Sequence, residues 1–500
     1  MVTKSKFDCV RRIKEYSIVI MAVMIIIAAL LALWWKGILL PTYTVWNTYE
    51  TLYEDYDVLL KDRCVVVKDK QGNELWKTEG NIYVQDMLIR DLDRDGREEL
   101  ALLVWKHGSF GKHIPMWVKN NDIRLEQHIF IYKLDSSGED FIRPVWMSSS
   151  MGKEIRRISG FGNDKILIDY NDSSDSVWYW DNFGLKYAGE GKEITVSFAC
   201  VGDNLVHPWL LNAVDDDYNS LYEGVRDTIS SADVAIVNQE TVLVDDMVRL
   251  SDYPRFALPS ELADALANTG FDVISLANNH ILDWGEEGLI STENACLNAF
   301  SNCNTETSVD NRTCVGINLS DNEEDYTKAV KFINCKGLRI ALLSFTYGTN
   351  GRKQPERNKY SVETFDNPDR IAAELDYANS RADAVVVYAH WGNENETEVS
   401  DEQIRIRDFL FEHNVDVVIG THPHVLQDYE YVDDKGRRML VYYSLGNFVN
   451  GQENDNQLVG GLARFNIVKT SDGTVYVADE RLDKLYMVHG DGEYGIKEFK

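Results

Sequence analysis

The chain has 500 residues, with 81 acidic side chains against 51 basic ones and a formal net charge of -30. Such a balance excludes a protein that holds nucleic acid by its phosphates, because an acidic surface repels them. It equally disfavours docking on anionic lipid. The composition, 44% apolar and 26% charged, is that of a globular protein too long for one ordinary core, so two or more domains are expected.

In chain order, residues 1–15 carry Lys4, Lys6, Arg11, Arg12 and Lys14. Residues 16–35, Tyr16 to Trp35, contain no charge and are long enough to cross a bilayer as a helix. Basic residues before an apolar span keep the N-terminus in the cytoplasm. The rest of the chain is then extracytoplasmic, and the protein is single-pass in the cell membrane. A cleaved signal peptide is the rival reading. The run is longer than an ordinary signal core, and Trp34, Trp35 and Lys36 make a poor small-residue cleavage site, so an uncleaved signal anchor is favoured.

Residues 36–55 read as an aromatic, acidic connector. From 56 to 190 short alternating segments such as Cys64–Lys68, Leu100–Trp105, His128–Lys133 and Lys165–Tyr170 are separated by Gly, Asn, Asp and Ser clusters. A small all-β module is expected. Within it, Asp91, Asp93 and Asp95 stand at positions 1, 3 and 5 of a loop with Gly96 at the sixth, the way a short loop wraps calcium. An EF-hand would need Glu at the twelfth place, where Leu102 stands, and strands flank the loop. The stretch instead resembles the calcium loops of FG-GAP-type β repeats, with Glu99 in the ninth place. That likeness implies a structural Ca ion held by Asp91, Asp93, Asp95 and Glu99; an acidic turn that binds nothing is the alternative.

Six of the seven cysteines follow the apolar span: Cys64, Cys200, Cys296, Cys303, Cys314 and Cys335. One or two disulfides among the last four, or free thiols, are both compatible with an oxidising compartment. No Cys-x-x-Cys pair points to zinc or redox chemistry.

From Glu193 the texture changes. Apolar runs (Thr195–Val201, Val234–Val237, Phe271–Ser275, Ile340–Phe345, Ala384–Tyr388, Val415–Ile419) alternate with helical segments at Ser220–Ala232, Pro259–Thr269, Asp283–Phe300, Asp369–Ser380 and Asp401–Glu412. Strand–helix alternation predicts an α/β domain with a mostly parallel core sheet. The tail, from Arg438, turns strand-rich again.

Five of the turns that follow these strands carry chemistry: Gly202-Asp-Asn-Leu-Val-His207, Asn238-Gln-Glu240, Asn278-Asn-His-Ile-Leu-Asp283, His390-Trp-Gly-Asn-Glu394 and Thr421-His-Pro-His424. Ligands bind at the carboxyl ends of strands in open α/β sheets. Oxygen and imidazole ligands suit borderline or hard divalent metals such as Mn, Zn, Fe or Mg. Each turn alone could be an ordinary loop; their recurrence at strand ends argues for a mononuclear or binuclear metal site.

These motifs, with Tyr253-Pro-Arg-Phe256, Gly420-x-His-Pro-His-Val425 and Tyr443-Ser-Leu-Gly-Asn-Phe448, resemble the CapA/PgsA proteins of poly-γ-glutamate capsule synthesis, a branch of the calcineurin-like metallophosphoesterases. The resemblance covers residues 193–465, leaving 466–500 as a strand-rich tail. It implies a metallophosphatase-like α/β/β/α sandwich that holds one or two Mn, Zn or Fe ions. Asp203, Glu240, Asn279, His390, His422 and His424 match metal ligands, with His207 near the first motif as a further one. His280 would face the substrate and move a proton, and Asp283 would orient it. Arg255, Asn278, Glu394 and Asn447 would contact substrate, Arg255 as an anion clamp. Leu205 stands where the superfamily has a histidine, and Glu240 where it has a bridging Asp. The implied partners are an anionic polymer or phosphoester and polymer-synthase membrane proteins, and the implied role is capsule or exopolymer biosynthesis or export. The alternatives are a phosphoesterase acting on another envelope substrate, and a non-catalytic assembly or tethering factor.

Overall fold

The structure is a computed structural model that describes residues 2–35, 44–53, 56–110, 124–134, 142–162, 164–181, 183–245, 250–322, 324–434, 436–490 and 492–498. It divides into two compact units, Met1–Lys192 and Glu193–Lys500. The first begins with α1 (Val2–Trp35). Its stretch Tyr16–Leu33 has a mean hydropathy of 2.8 and is entirely unburied, so it is long and apolar enough to cross a membrane. The basic side chains expected before it, and residues 36–43 and 54–55 of the connector, lie outside the described residues.

The expected β module is three successive antiparallel sheets of four strands each. The first holds β1 (Tyr49–Tyr53), β2 (Tyr56–Lys61), β3 (Cys64–Lys68) and β4 (Glu74–Lys77). The second holds β5 (Tyr83–Arg90), β6 (Glu99–His107), β7 (Leu125–Leu134) and β8 (Ile142–Met147). The third holds β9 (Ile155–Phe161), β10 (Lys165–Tyr170), β11 (Asp175–Asp181) and β12 (Gly184–Glu190). Strand side chains alternate between faces, and the middle sheet uses both. Leu100, Leu102, Val104 and Phe130 pack with Val58, Leu60, Val65 and Val67 of the first sheet. Ala101, Leu103, Ile129 and Ile131 pack with Ile158, Ile166 and Ile168 of the third. This double burial explains why β6 reads as an unbroken apolar run.

In the acidic loop before β6, carboxylate oxygens of Asp91, Asp93 and Glu99 lie within 4.8 Å of one another. Lys133, directly across the ladder from Glu99, points its ammonium at this group, 3.0 Å from Asp93 and 3.5 Å from Glu99, and also bonds Asp95. A cation of the chain's own therefore faces the expected calcium ligands. Burial pushes the Glu99 carboxyl up to about 7.

The second unit runs β13 (Glu193–Leu205), α2 (Pro208–Ala213), α3 (Arg226–Ser230), β14 (Val234–Gln239), β15 (Leu243–Val244), β16 (Leu258–Pro259), α4 (Glu261–Thr269), β17 (Val273–Ser275), α5 (Gly285–Asn302), β18 (Thr313–Val315), β19 (Lys331–Cys335) and β20 (Leu338–Thr346). It continues with α6 (Pro368–Asn379), β21 (Ala384–His390), α7 (Asp401–Glu412), β22 (Val417–Thr421), β23 (Leu426–Asp434), β24 (Arg437–Leu445), β25 (Asn447–Asn450), β26 (Val459–Thr470), β27 (Val475–Gly490) and β28 (Glu493–Glu498). One sheet has the order β18-β17-β14-β13-β26-β27-β28, with β25 beside β13. The other is β19-β20-β21-β22-β24-β23. Their central strands β13, β14 and β17, and β20, β21, β22 and β24, are parallel neighbours. Such strands are covered on both faces, which is why they were legible as continuous apolar runs.

The two sheets face each other. The Tyr388 hydroxyl on β21 donates to the backbone of Val201 on β13 and Ile236 on β14, at 3.3 and 3.1 Å. Helices α4 and α5 cover the outer face of the first sheet through Leu262, Leu266, Leu289 and Cys296. Helices α6 and α7 cover the second through Ile371, Leu375 and Leu410. The result is the expected α/β/β/α sandwich. Helix α7 starts with a reciprocal capping box, Ser400 with Gln403, and α6 with Asn367 ahead of Pro368 at its first turn.

Two expectations need correction, and the cysteines follow one of the two alternatives left open. The segment Ser220–Ala232 is a 3-10 turn, Tyr218–Val225, followed by the short α3, not one helix. The boundary drawn at 465 falls inside β26; Ser471-Asp-Gly473 closes a hairpin of the main sheet instead of opening a separate tail. None of the six cysteines after the apolar span is bridged, and four of them are buried.

Behind the second sheet lies a buried charge cluster. Arg370 sits 3.1 Å from Glu363 and 3.0 Å from Glu374. Burial, then the Glu363 charge, push the Glu374 carboxyl up to about 9. The folded chain thus keeps a proton that the unfolded chain releases at the ordinary carboxylate value. That contribution to stability is complete at acid pH and is lost as pH rises toward 9. Glu374→Gln is expected to flatten the decline of Tm between about pH 5 and pH 9, measured by calorimetry across that range.

Candidate metal centre

The polar turns converge from both sheets. Asp203 lies near the end of β13, Glu240 just beyond β14 and Asn279 beyond β17; His390 ends β21, and His422 and His424 follow β22. All are buried. Two glycines make the convergence sterically feasible. A Cβ on Gly202 would stand 1.8 Å from the Gly446 carbonyl, and one on Gly420 1.9 Å from the Tyr443 carbonyl. Any side chain there would force apart the strands that carry Asp203 and the histidines.

Ligand atoms of Glu240, His390 and His422 fall within 4.8 Å of one another, as do those of Asp203, Glu240 and His424, and those of Glu394, His422 and His424. Glu240 decides the chemistry. It is fully buried, and neither carboxylate oxygen has a hydrogen-bond partner. Its nearest neighbours are His390 Nε2 and His424 Nε2, each 3.7 Å from Oε1. An unpaired carboxylate in the interior costs several kcal/mol unless a cation meets it. The residues present therefore fit a divalent metal.

The surrounding groups orient these ligands, as partners of metal-binding side chains do. Asp203 accepts from Asn238 Nδ2 at 2.7 Å and from the His422 backbone N–H at 3.0 Å. His390 places Nδ1 3.0 Å from Thr421 Oγ1 and Nε2 2.9 Å from Asn279 Oδ1. His424 Nδ1 lies 3.0 Å from Asn447 Oδ1. His422 and His424, on either side of Pro423, both have positive φ, 95° and 59°, a strained backbone of the sort that persists at functional sites. Burial, then the neighbouring imidazoles, hold His390 well below the usual histidine range, and burial with His424 lowers His422 to about 3. Burial alone would lower His424 too, but Glu240 and Asp203 push it up to about 10. Burial and Asp203 raise Glu240 well above the carboxylate range.

The His280 turn follows β17. Asn278 Oδ1 accepts from the His280 backbone and its Nδ2 donates to the Gln239 carbonyl at 2.8 Å, so this amide, expected at the substrate, fixes the loop. His280 Nδ1 lies 2.8 Å from Asp283 Oδ2, which also accepts the Phe256 N–H at 2.9 Å. The Phe256 ring meets His280 edge-on at 4.9 Å. Arg255, expected as an anion clamp, spends its guanidinium on the Asp283 carbonyl, at 2.9 and 2.7 Å, and lies over Trp284. Asn447 is likewise committed, to His424, Gln452 and the Gln457 carbonyl. Glu394 is exposed beside His422 and His424.

His207 stands outside all three ligand groups. Its Nδ1 is 2.8 Å from Asp252 Oδ1, and its ring packs edge-on against Phe256, 5.4 Å away. Pro208 starts α2 immediately after it, and the His207 Nε2 is buried with no hydrogen-bond partner among the described residues. His207→Ala is expected to leave metal content, read by plasma mass spectrometry, within about two-fold of the parent, whereas loss of a true ligand costs far more.

Sequence reading quoted Asn238 and Thr421 within their motifs without giving them a role, and missed Tyr347 and Asn350. The Tyr347 ring lies 4.5 Å from that of His422, its N–H donates to the His390 carbonyl at 2.9 Å, and Asn279 Nδ2 reaches Asn350 Oδ1 at 3.4 Å. Tyr347 follows β20, so its strand-end position was a usable signal.

Residues 197–452 match the family model described as "Bacterial capsule synthesis protein PGA_cap". The chain belongs to this bacterial capsule synthesis family. Curated relatives include "Capsule biosynthesis protein CapA" of Bacillus anthracis, 28% identical over 252 residues, 49% of this chain and 56% of that protein. "PGA biosynthesis protein CapA" of Bacillus subtilis (strain 168) is 29% identical over 213 residues, 43% and 51% of the two chains. The chain thus spans about half the length of the curated relatives it matches. Among solved structures, the NAD nucleotidase NadN of Haemophilus influenzae overlaps 62% of this chain and 54% of its own, at 11% identity and a TM-score of 0.36. A putative 5'-nucleotidase from Staphylococcus aureus overlaps 58% and 54%, at 16% identity and a TM-score of 0.37. The family match ends at 452, and strands β26 to β28 extend the sheet beyond it.

Proposed function

We propose that this family member is a membrane-anchored, extracytoplasmic, metal-dependent hydrolase-like protein of capsule or exopolymer biosynthesis or export, of the poly-γ-glutamate type. The observation that carries the reading is the fully buried, unpartnered Glu240 carboxylate facing two imidazoles. A divalent ion such as Mn, Zn or Fe, when bound, supplies Lewis-acid polarisation and an acidified water. Asp203, Glu240, Asn279, His390, His422 and His424 would hold it. His280 would stand on the substrate side, where Asp283 fixes Nδ1 and leaves Nε2 to hydrogen-bond the substrate or pass a proton to a leaving oxygen. The apolar helix α1 would serve as the anchor, and membrane-bound synthase subunits as partners.

His207 favours a second reading. The first motif has Leu205 where the superfamily has a histidine, and His207 is engaged with Asp252. A centre short of one ligand fits a protein that holds polymer or synthase without turnover. The test uses the full chain in detergent, loaded with Mn or Zn. Bound metal and hydrolysis of bis(p-nitrophenyl) phosphate that disappears in His280→Ala support catalysis. Metal without turnover supports the holding role, and no metal at saturating supply overturns both.

A further inference from the structure

The turn after β20 carries more than its contacts to the histidines. Thr349 to Arg352 form a tight turn: the Arg352 N–H donates to the Thr349 carbonyl at 2.8 Å, and the Thr349 hydroxyl donates back to the Arg352 carbonyl at 2.7 Å. Its central residues, Asn350 and Gly351, both have positive φ, 50° and 71°, the mirror-image turn that only such residues accept readily. The turn is pinned to the metal centre at Asn279–Asn350, at Tyr347–His422 and at the His390 carbonyl. Its geometry is therefore set by the same residues that hold the ligands.

Beyond the turn come Arg352 and Lys353, adjacent and exposed. Among the described residues, neither side chain has a hydrogen bond or ion pair. Neighbouring cations are used differently: Arg357 pairs with Glu286 and Asp321, and Arg370 with Glu363 and Glu374. In a chain with 30 more acidic than basic groups, two consecutive unpaired cations stand within roughly 10 Å of chain from Asn350, beside the turn that touches the centre. Arg255 does not add to it, being occupied by the Asp283 carbonyl.

We infer that Arg352 and Lys353 form a second anion subsite, which takes a carboxylate or phosphate of the substrate adjacent to the group that meets the metal. The substrate class is then a molecule with repeated negative charge, not a lone phosphoester. This deepens the metal-centre reading above and rests on it. A charge-assisted hydrogen bond at such a subsite is strong and, with arginine, bidentate. Being solvent-exposed, it weakens with salt.

The test compares phenyl phosphate with 4-carboxyphenyl phosphate, which adds one carboxylate, binding to the Mn-loaded full chain in detergent by titration calorimetry. The parent is expected to bind the carboxylated compound about ten-fold more tightly at low salt, the size of one charged hydrogen bond. In Arg352→Gln/Lys353→Gln this preference should vanish, while phenyl phosphate changes by less than about two-fold. Arg352→Glu/Lys353→Glu should reverse it. Phenyl phosphate binding with no carboxylate preference in the parent, or a preference that survives in both double variants, overturns the subsite alone. Failure of phenyl phosphate to bind the Mn-loaded parent also overturns the subsite alone, whereas failure of the parent to take up Mn overturns the metal-centre reading and the subsite with it.

Discussion

Glu240→Gln is expected to cost at least roughly 100-fold in metal affinity, since removing even an outer partner of a ligand typically costs 10–100-fold. The substitution keeps the shape and removes only the charge, so the loss reports on electrostatics. Its second signature separates a metal ligand from a structural carboxylate. In the metal-free protein Glu240 is buried with both oxygens unpartnered, and burial and Asp203 already force it toward the protonated form. A neutral amide there relieves an interior penalty of several kcal/mol. The metal-free variant is thus expected to melt higher than the metal-free parent, while the rise in Tm that added metal gives the parent by mass action disappears. Calorimetric scans with and without Mn measure both. A variant that melts lower in both states would mean that Glu240 serves the fold and not an ion.

The second large effect concerns the proton carrier. His280→Ala is expected to lower turnover of a phosphodiester by roughly 10²–10⁴-fold, the usual contribution of a positioned acid or base, with metal content unchanged. Asp283→Asn should give most of the same loss, because the 2.8 Å contact at Nδ1 selects the imidazole tautomer. The two changes together should cost little more than the first, as residues acting in one unit are strongly non-additive. Asp283→Ala is a different experiment: it also strips the acceptor from the Phe256 N–H and so lowers stability. Additive losses in the double variant, or a fall in bound metal with His280→Ala, would count against this division of labour.

How much of this was legible follows from the physics of each position. The central strands were readable because parallel strands covered on both faces leave continuous apolar runs, and the ligand turns because His, Asp and Asn recur where those runs stop. The turn at Tyr347 was passed over because Thr346-Tyr-Gly-Thr-Asn350 offers no imidazole or carboxylate, although its position was as informative as the others. His207 was given to the metal by its nearness to Asp203 in sequence. The partner of its Nδ1, Asp252, comes from a loop 45 residues further on, a pairing that spacing does not encode. Arg255 and Asn447 were read as substrate contacts from the motifs that carry them; in the fold the Asp283 carbonyl and His424 engage them, pairings that sequence spacing does not encode. The boundary at 465 marked where the family resemblance ended, and the end of a resemblance does not say whether the strand that follows stays in the same sheet, as β26 does.

The proposed ligands come from both halves of the sandwich: Asp203, Glu240 and Asn279 from one sheet, His390, His422 and His424 from the other. An ion at their centre is therefore also a rivet. Each half has its own outer helices and its own apolar cluster, so the ion ties together two bodies that could otherwise begin to separate. Its departure should quicken unfolding more than it slows folding, because a contact completed last is broken first. A protein built this way would lose its service life, and not merely its chemistry, when its surroundings are stripped of metal.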